Sequence, residues 1–314
     1  MKSKTASNLL LLLTAFIWGS AFVAQKAGTV LESFTYNGIR TLIAGVFLLI
    51  VIGVSSAVKK NKTMSTATDM NGEFAEKRAL VEKKAATIKG GIACGIVLAV
   101  ASTLQQYGMF LGTDAGKAGF ITALYIVMVP LLGIFIGQRP RKIIWLCVIL
   151  GAFGFYMLTM FGTGTSLSLG KGEVMLLLCA FFFSVHIQVV DHFAERADAI
   201  KMSCLQFFVC AAICLVGMAI FEHPEISAIL SVWFPIIYAG VFSAGLGYTF
   251  QIIAQKNADP ATASLIMSLE SVFAVLTGAV ILHERMTVYE ILGCIIIFAA
   301  VILAQLPAKQ KQTF

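Results

Sequence analysis

The sequence predicts an all-α membrane protein, with ten transmembrane helices forming two inverted five-helix repeats around a central cavity. Three observations predict it. Hydrophobic residues make up 59% of the 314 and charged residues only 12%, whereas a soluble domain carries about 25% charged residues. Ten apolar windows have roughly the 20 residues that cross a hydrocarbon layer at about 1.5 Å rise per residue. Residues 90–160 also superpose on 236–306 without a gap at an offset of 146, which places Gln105 on Gln251, Thr103 on Thr249, Ala115 on Ala261 and Arg139 on Arg285. Paired spans in the two halves of a chain mark a repeat architecture whose site lies at the repeat interface near mid-bilayer.

Span one, 7–25, follows a basic start and contains the Leu9–Leu13 run, so it imitates a cleavable signal peptide. It reads instead as a span, because its removal would leave nine and strip span six of its partner. Span two, 34–54, leads into a polar insertion at 55–89 that is too charged to enter a bilayer. Val58–Leu80 has no sustained helical period and reads as a partly helical or disordered linker. Spans three to five, 90–111, 117–137 and 142–160, complete a first repeat over 1–161. The run GTGTSLSLGKG makes 162–171 a linker, and spans six to ten, 172–190, 200–221, 232–254, 261–282 and 287–306, form a second repeat over 172–306 with a tail at 307–314. Five spans per repeat is an odd number, so the second copy enters from the opposite side. Spans one and two match six and seven at an offset near 166, where Arg40 falls on Gln206.

The net charge of +7 orients the chain rather than signalling nucleic acid. With the N-terminus inside, eighteen of the 23 basic residues fall on cytoplasmic segments, four (Lys26, Lys117, Lys171, Arg285) fall outside, and Arg40 lies within span two. The positive-inside rule therefore puts both termini in the cytoplasm, with the chain crossing the cell membrane many times. All seven cysteines sit inside apolar windows without metal spacing, and read as small packing residues. Gly112–Ala118 (GTDAGKA) is one residue short of a phosphate loop and lacks its hydroxyl, and neither H-e-x-x-h nor a G-x-S-x-G nucleophile motif occurs. No cofactor, metal or enzymatic activity is expected. Gly91/Gly95 and Gly133/Gly137 have the spacing of close helix packing.

Polar side chains at mid-depth are what need explaining in hydrocarbon. Glu270 stands halfway along span nine, where an acidic residue costs on the order of 2.5–3.5 kcal/mol, so it faces either a cavity or a partner helix. On span eight Ala244, Tyr248, Gln251 and Gln255 follow 4, 3, 4 spacing, one face of an α-helix. Span three carries Ser102 and Gln105, with Gln106 and Tyr107 alongside. Gln105 and Gln251 at equivalent places would face each other across a cavity and offer amides to a polar substrate, or bridge helices. Trp18, Ser20 and Gln25 on span one roughly match His186 and Gln188 on span six. Trp18 is too deep for an interfacial residue and reads as a cavity wall, and His186 is a candidate coupling group. Arg40, with Asn37 on the same face, either neutralises an anionic group or snorkels outward.

Ser264–Leu303 resembles the second repeat of the EamA family in the drug/metabolite transporter superfamily. Glu270 holds the acidic position of an E-P-V-like element with Ser271 in place of proline, and His283–Glu284 keep a G-E-x-x-T-like turn with His for Gly. Ala15–Lys26 is similar to the W-G-S opening, Arg40 to the span-two arginine, and Gly172–Glu173 to the pair that opens span six. The resemblance covers nearly everything outside 55–89. It implies a basket lined mainly by spans one, three, four, six, eight and nine, with five and ten peripheral, that exports a small amino-acid-like or amphipathic metabolite by alternating access. Trp18, Gln105, Tyr248, Gln251 and Glu270 are the expected substrate contacts, Glu270 or His186 the coupling group, and Arg40 an anion contact. The alternatives are a flippase for a lipid-linked or amphipathic molecule and an intramembrane enzyme. The latter would want clustered acids, whereas Asp114, Asp191, Asp198 and Asp259 are scattered. A homodimer stays open, since the apolar faces of all ten helices look alike.

Overall fold

The computed structural model describes residues 2–60, 70–113, 115–159, 170–281 and 287–306, and every element among them is helical. Lys2–Ala27 (α1) and Ser33–Lys60 (α2) are joined by a single 3₁₀ turn, Gly28–Val30. Met70–Phe110 (α3) runs 41 residues, about 60 Å at the α-helical rise, twice the hydrocarbon thickness. The polar insertion is thus more helical than its sequence suggested, since α2 continues to Lys60 and α3 begins at Met70. Arg78 pairs with Glu82 one turn on, at 3.1 Å, while Leu80 and Val81 are exposed. A helix with solvent on most sides needs no apolar stripe, so periodicity could not reveal it.

The remaining crossings follow in order. Ala115–Ala123 (α4) and Tyr125–Phe135 (α5) make the fourth, Lys142–Thr159 (α6) the fifth, Lys171–Ala194 (α7) the sixth and Ala199–Phe221 (α8) the seventh. After the short Ile226–Ser231 (α9), the eighth crossing is Trp233–Tyr238 (α10), a π-helix Ala239–Tyr248, and Thr249–Gln255 (α11). Pro260–Met267 (α12) and Glu270–Ile281 (α13) make the ninth, and Val288–Gln305 (α14) the tenth. Among the described residues nine crossings are long and apolar enough to traverse a membrane, and Lys142–Leu158 is a shorter apolar helix that supplies the other. The two-repeat membrane fold follows.

The fourth and ninth crossings break within two residues of equivalent places. Leu124, between α4 and α5, falls on Glu270 at the 146 offset, and Ser268–Leu269 separate α12 from α13. The ninth crossing bends without a proline. Leu269 N–H donates to Ile266 O at 3.2 Å and Ser271 N–H to Ser268 O at 3.3 Å, and such i→i+3 bonds tighten and redirect a helix. Positive φ at Gly112 and Gly137 ends α3 and α5 with left-handed turns that a side chain would oppose.

The first and last helices meet, since Asn8 Nδ2 donates to Gln305 Oε1 at 3.1 Å. We call that side the terminal face and its opposite the distal face. α1 runs through the middle of the bundle against α11, α12, α13 and the π-helix, while α6 and α14 pair at the periphery. A Cβ on Gly293 would lie 2.6 Å from Gly154 O, so this pair approaches backbone to backbone. Gly91 and Gly95 likewise let α3 settle against Leu205 and Val209 of α8, as their spacing suggested.

At the distal face Glu222, just past α8, caps α2. Its Oε1 accepts from Phe34 N–H at 2.8 Å and its Oε2 from Thr35 N–H and Thr35 Oγ1, both at 2.7 Å. A carboxylate satisfies orphan donors at the positive end of the helix macrodipole. Glu222→Ala is expected to cost about 1–2 kcal/mol of stability, read as a lower thermal midpoint in detergent, with Glu222→Gln intermediate.

Candidate functional site

Where α1 crosses the α12–α13 joint, Gly19 removes the obstacle a side chain would pose. A Cβ there would stand 2.5 Å from Glu270 O and 2.6 Å from Phe273 Cβ. The contact aligns the next turns of α1 with the bundle centre. On one side Trp18 Nε1 donates to Ser243 O at 3.0 Å, a carbonyl within the π-helix. Gly247 faces the same indole, with a would-be Cβ 2.5 Å from Nε1. On the other side Ser20 Oγ lies 2.8 Å from Tyr238 Oη, and Gln25 Nε2 donates to Gln105 Oε1 at 2.9 Å and Gln106 Oε1 at 3.4 Å.

The helices enclose a cavity of about 50 Å³. The seven residues expected to contact solute, coupling ion or anion, Trp18, Arg40, Gln105, His186, Tyr248, Gln251 and Glu270, line it, with Gln25, Thr122, Tyr125, Ser243 and Met267 among their neighbours, whereas Ser20, Asn37, Ser102, Gln106, Tyr107, Gln188 and Gln255 do not. No lining residue comes from α6 or α14, so the fifth and tenth crossings stand outside. A volume of about 50 Å³ holds a few waters, well below the roughly 300–1,000 Å³ of a pocket that takes an organic ligand. As it stands, the polar centre has no room for an organic solute.

Each lining group is held in its own way. Glu270 opens α13 at 7% exposure and accepts from Tyr125 Oη at 3.3 Å. His186 pairs with Gln206 at 3.1 Å, so the residue that falls on Arg40 in the other half supports the imidazole. Gln251 Nε2 donates to Gln255 Oε1 at 2.9 Å, and Gln255 Nε2 donates to Ile187 O at 3.1 Å. That chain lies on the terminal side of the cavity, and the bonds of Gln25 lie on the distal side. Gln251 Oε1 is buried and finds no protein partner.

Arg40 does not snorkel. It is 7% exposed, lines the cavity, and has its Cζ 5.3 Å from the Tyr36 ring centroid. Its Nε has no hydrogen-bond partner, and among the described residues no carboxylate reaches it as an ion pair. A buried cation without a counter-charge is the most expensive group in such an interior.

The expected stripe on the eighth crossing is corrected by the π-helix. The 4, 3, 4 spacing assumed regular α turns, whereas residues 239–248 are wound wider; Ala244 and Tyr248 share an apolar cluster with Leu48, Leu98 and Phe207, and of the four residues Tyr248 and Gln251 also line the cavity. Lys26 is exposed at the end of α1. His283, Glu284 and Arg285 lie outside the described residues. Tyr125, which holds Glu270, went unnoticed in the sequence, although a tyrosine this far into an apolar span is itself a signal. Gly19→Val should overpack the crossing by about 1–3 kcal/mol, and the loss of melting temperature should exceed that of Gly53→Val, where a Cβ meets nothing within 4 Å.

The pattern of the EamA-like transporter family matches residues 5–160 and again 170–306. A protein of Archaeoglobus fulgidus described as an uncharacterized transporter is 26% identical over 304 residues, which cover 96% of this chain and 86% of that one. A crystal structure of another protein superposes with a TM-score of 0.73 at 17% identity over 96% of both chains, a likeness of fold. With two matched repeats over nearly its whole length, the chain belongs to the EamA-like transporter family of the drug/metabolite transporter superfamily.

Proposed function

We propose that this membrane transporter is a secondary carrier of the cytoplasmic membrane that exports a small amino-acid-like or amphipathic metabolite by alternating access, without ATP. The observation that carries the reading is the convergence of polar side chains from both halves on one small central cavity. In this reading the repeats 1–161 and 172–306 rock about that centre, and the terminal face, which receives most of the basic residues, is cytoplasmic. A cavity of about 50 Å³ cannot admit a metabolite as it stands. Loading therefore requires one side to part while the other stays sealed, Gln25 with Gln105 and Gln106 on one side and Gln251 with Gln255 and Ile187 O on the other.

Arg40 and Glu270 suggest what the solute carries. Arg40 Nε lacks a hydrogen-bond partner and no carboxylate pairs with the guanidinium, while among the described residues the carboxyl of Glu270 accepts from Tyr125 at 3.3 Å. A carboxylate on the solute would relieve the first, and an ammonium or a proton would engage the second. Trp18 and Tyr248, 4.7 Å apart between ring centroids, offer an apolar wall to the remainder. Amide, guanidinium and carboxyl groups around the centre suit a water-soluble solute better than a lipid tail, which favours the metabolite over the flippase reading.

Counterflow of radiolabelled amino acids into proteoliposomes tests this. Glu270→Gln should abolish pH-dependent exchange, and exchange that persists undiminished and still responds to pH would remove Glu270 from the coupling step. Arg40→Gln should weaken apparent affinity for carboxylate-bearing solutes by roughly tenfold or more, the loss of a charged hydrogen bond worth about 1.5–3 kcal/mol.

A further inference from the structure

Buried polar atoms without a protein partner are not scattered evenly through this molecule. Among the described residues Ser33 Oγ, Tyr36 Oη, Asn37 Oδ1 and Arg40 Nε on α2, and Ser102 Oγ and Gln106 Nε2 on α3, are of this kind, whereas Gln206 Nε2, Gln251 Oε1, Thr262 Oγ1 and Ser271 Oγ are spread over several elements of the second half. Ser33, Asn37 and Arg40 follow 4, 3 spacing and share one face of α2, and Ser102 and Gln106, four apart, share one face of α3. Asn37 Nδ2 donates to Ser102 O at 3.1 Å, which brings the two faces together. Because the helices are antiparallel, that pairing sets Ser33 at the level of Gln106, towards the distal face. The opposed stripes thus run from the distal end of α2 to Arg40, which lines the cavity. Behind them α8 packs on both helices, with Leu215 against Gly38 and Cys214 Sγ 3.7 Å from Thr103 Oγ1. In front lies the amide of Gln25, bonded to Gln105 and Gln106.

The equivalent seam in the other half is built differently. The offsets of 166 and 146 carry Ser33, Asn37 and Arg40 to Ala199, Ser203 and Gln206, and Gln106 to Ile252. There Ser203 Oγ accepts from Thr249 Oγ1 at 2.8 Å, Ala199 and Ile252 belong to an apolar cluster with Val190 and Met202, and a single unpartnered atom, Gln206 Nε2, remains. Parting an apolar seam exposes hydrocarbon to water and is opposed by the hydrophobic effect. Parting a seam of unsatisfied donors and acceptors lets water meet groups that have no partner while it is closed. The two halves differ in the free-energy cost of opening, and the cheaper seam leads from the cavity to the distal face.

We propose that the α2–α3 seam is the distal access route of the cavity, and that Ser33, Asn37, Ser102 and Gln106 are polar contacts for the solute between Arg40 and the distal solution. This rests on the carrier reading above, but its first test needs no substrate. Cysteines are placed singly at Asn37, Gln106, Ser203 and Ile252 in the otherwise native chain, whose own seven cysteines are buried and set the background. A membrane-impermeant methanethiosulfonate reagent is applied to sealed vesicles from the distal face for Asn37→Cys and Gln106→Cys, and from the terminal face for Ser203→Cys and Ile252→Cys. The first pair should react on the order of tenfold faster than the second. Equal rates, or faster labelling of the second pair, would overturn the proposal while leaving the Glu270 and Arg40 exchange assays to judge transport separately. Ser102→Ala, which deletes an unpartnered hydroxyl, should leave the melting temperature unchanged or raised and yet slow counterflow several-fold. Unchanged counterflow in that variant would exclude the seam as the path of the solute.

Discussion

The cavity exists because two backbones can touch at Gly19. In a bilayer no solvent stands ready to pair polar groups, so they must be gathered where protein surrounds them. The gathering point here is set by how near α1 comes to the joint between α12 and α13. A side chain at Gly19 would meet Glu270 O and Phe273, and with α1 pushed away Trp18 would leave Ser243 and Gln25 would leave Gln105. One hydrogen atom in place of a methyl group therefore governs contacts that reach both halves. Gly247 repeats the device from the opposite wall, where the π-helix makes room for the indole.

Much of this was legible in the sequence, and the reason is the bilayer. The apolar crossings lie where hydropathy puts them, since helix length is fixed by membrane thickness, but the breaks within them were not foreseen. Polar side chains drew attention because a polar atom in hydrocarbon demands a cause; seven of them and Gln25 line one cavity, while Ser102, Gln106, Gln188 and Gln255 instead lie between helices. What stayed hidden depends on tertiary packing. The π-helix lies where Gly240 and Gly247 let Arg40 O and Trp18 come close, and no local spacing announces it. The bend before Glu270 forms without the proline that would have flagged it. Tyr125 was passed over because its hydroxyl finds its carboxyl only across two helices. Arg40 was ambiguous because its position near a helix end fits both a snorkelling and a buried side chain; only the packing around Tyr36 and Gly240 decides.

The inverted repeat explains why the machinery is duplicated, and its imperfections explain how the sides differ. Arg40 in one half answers to Gln206 in the other, so a charge on one side is matched by an amide that holds His186. Gln106 answers to Ile252, so a polar edge faces an apolar one. A perfectly symmetric pair of repeats would give both sides of the membrane the same access and the same affinity. Departures at a handful of buried positions are enough to distinguish them without altering the fold.

The bond between Asn8 and Gln305 has a topological consequence. It seats the first and last helices side by side on one face, so a short bridge between them would turn the chain into a ring, and a chain whose ends adjoin tolerates being recut elsewhere. Which repeat is synthesised first is then a matter of where the ring happens to be cut, and a permutant opened between the repeats would keep every helix in place while moving both its ends to the opposite side of the membrane.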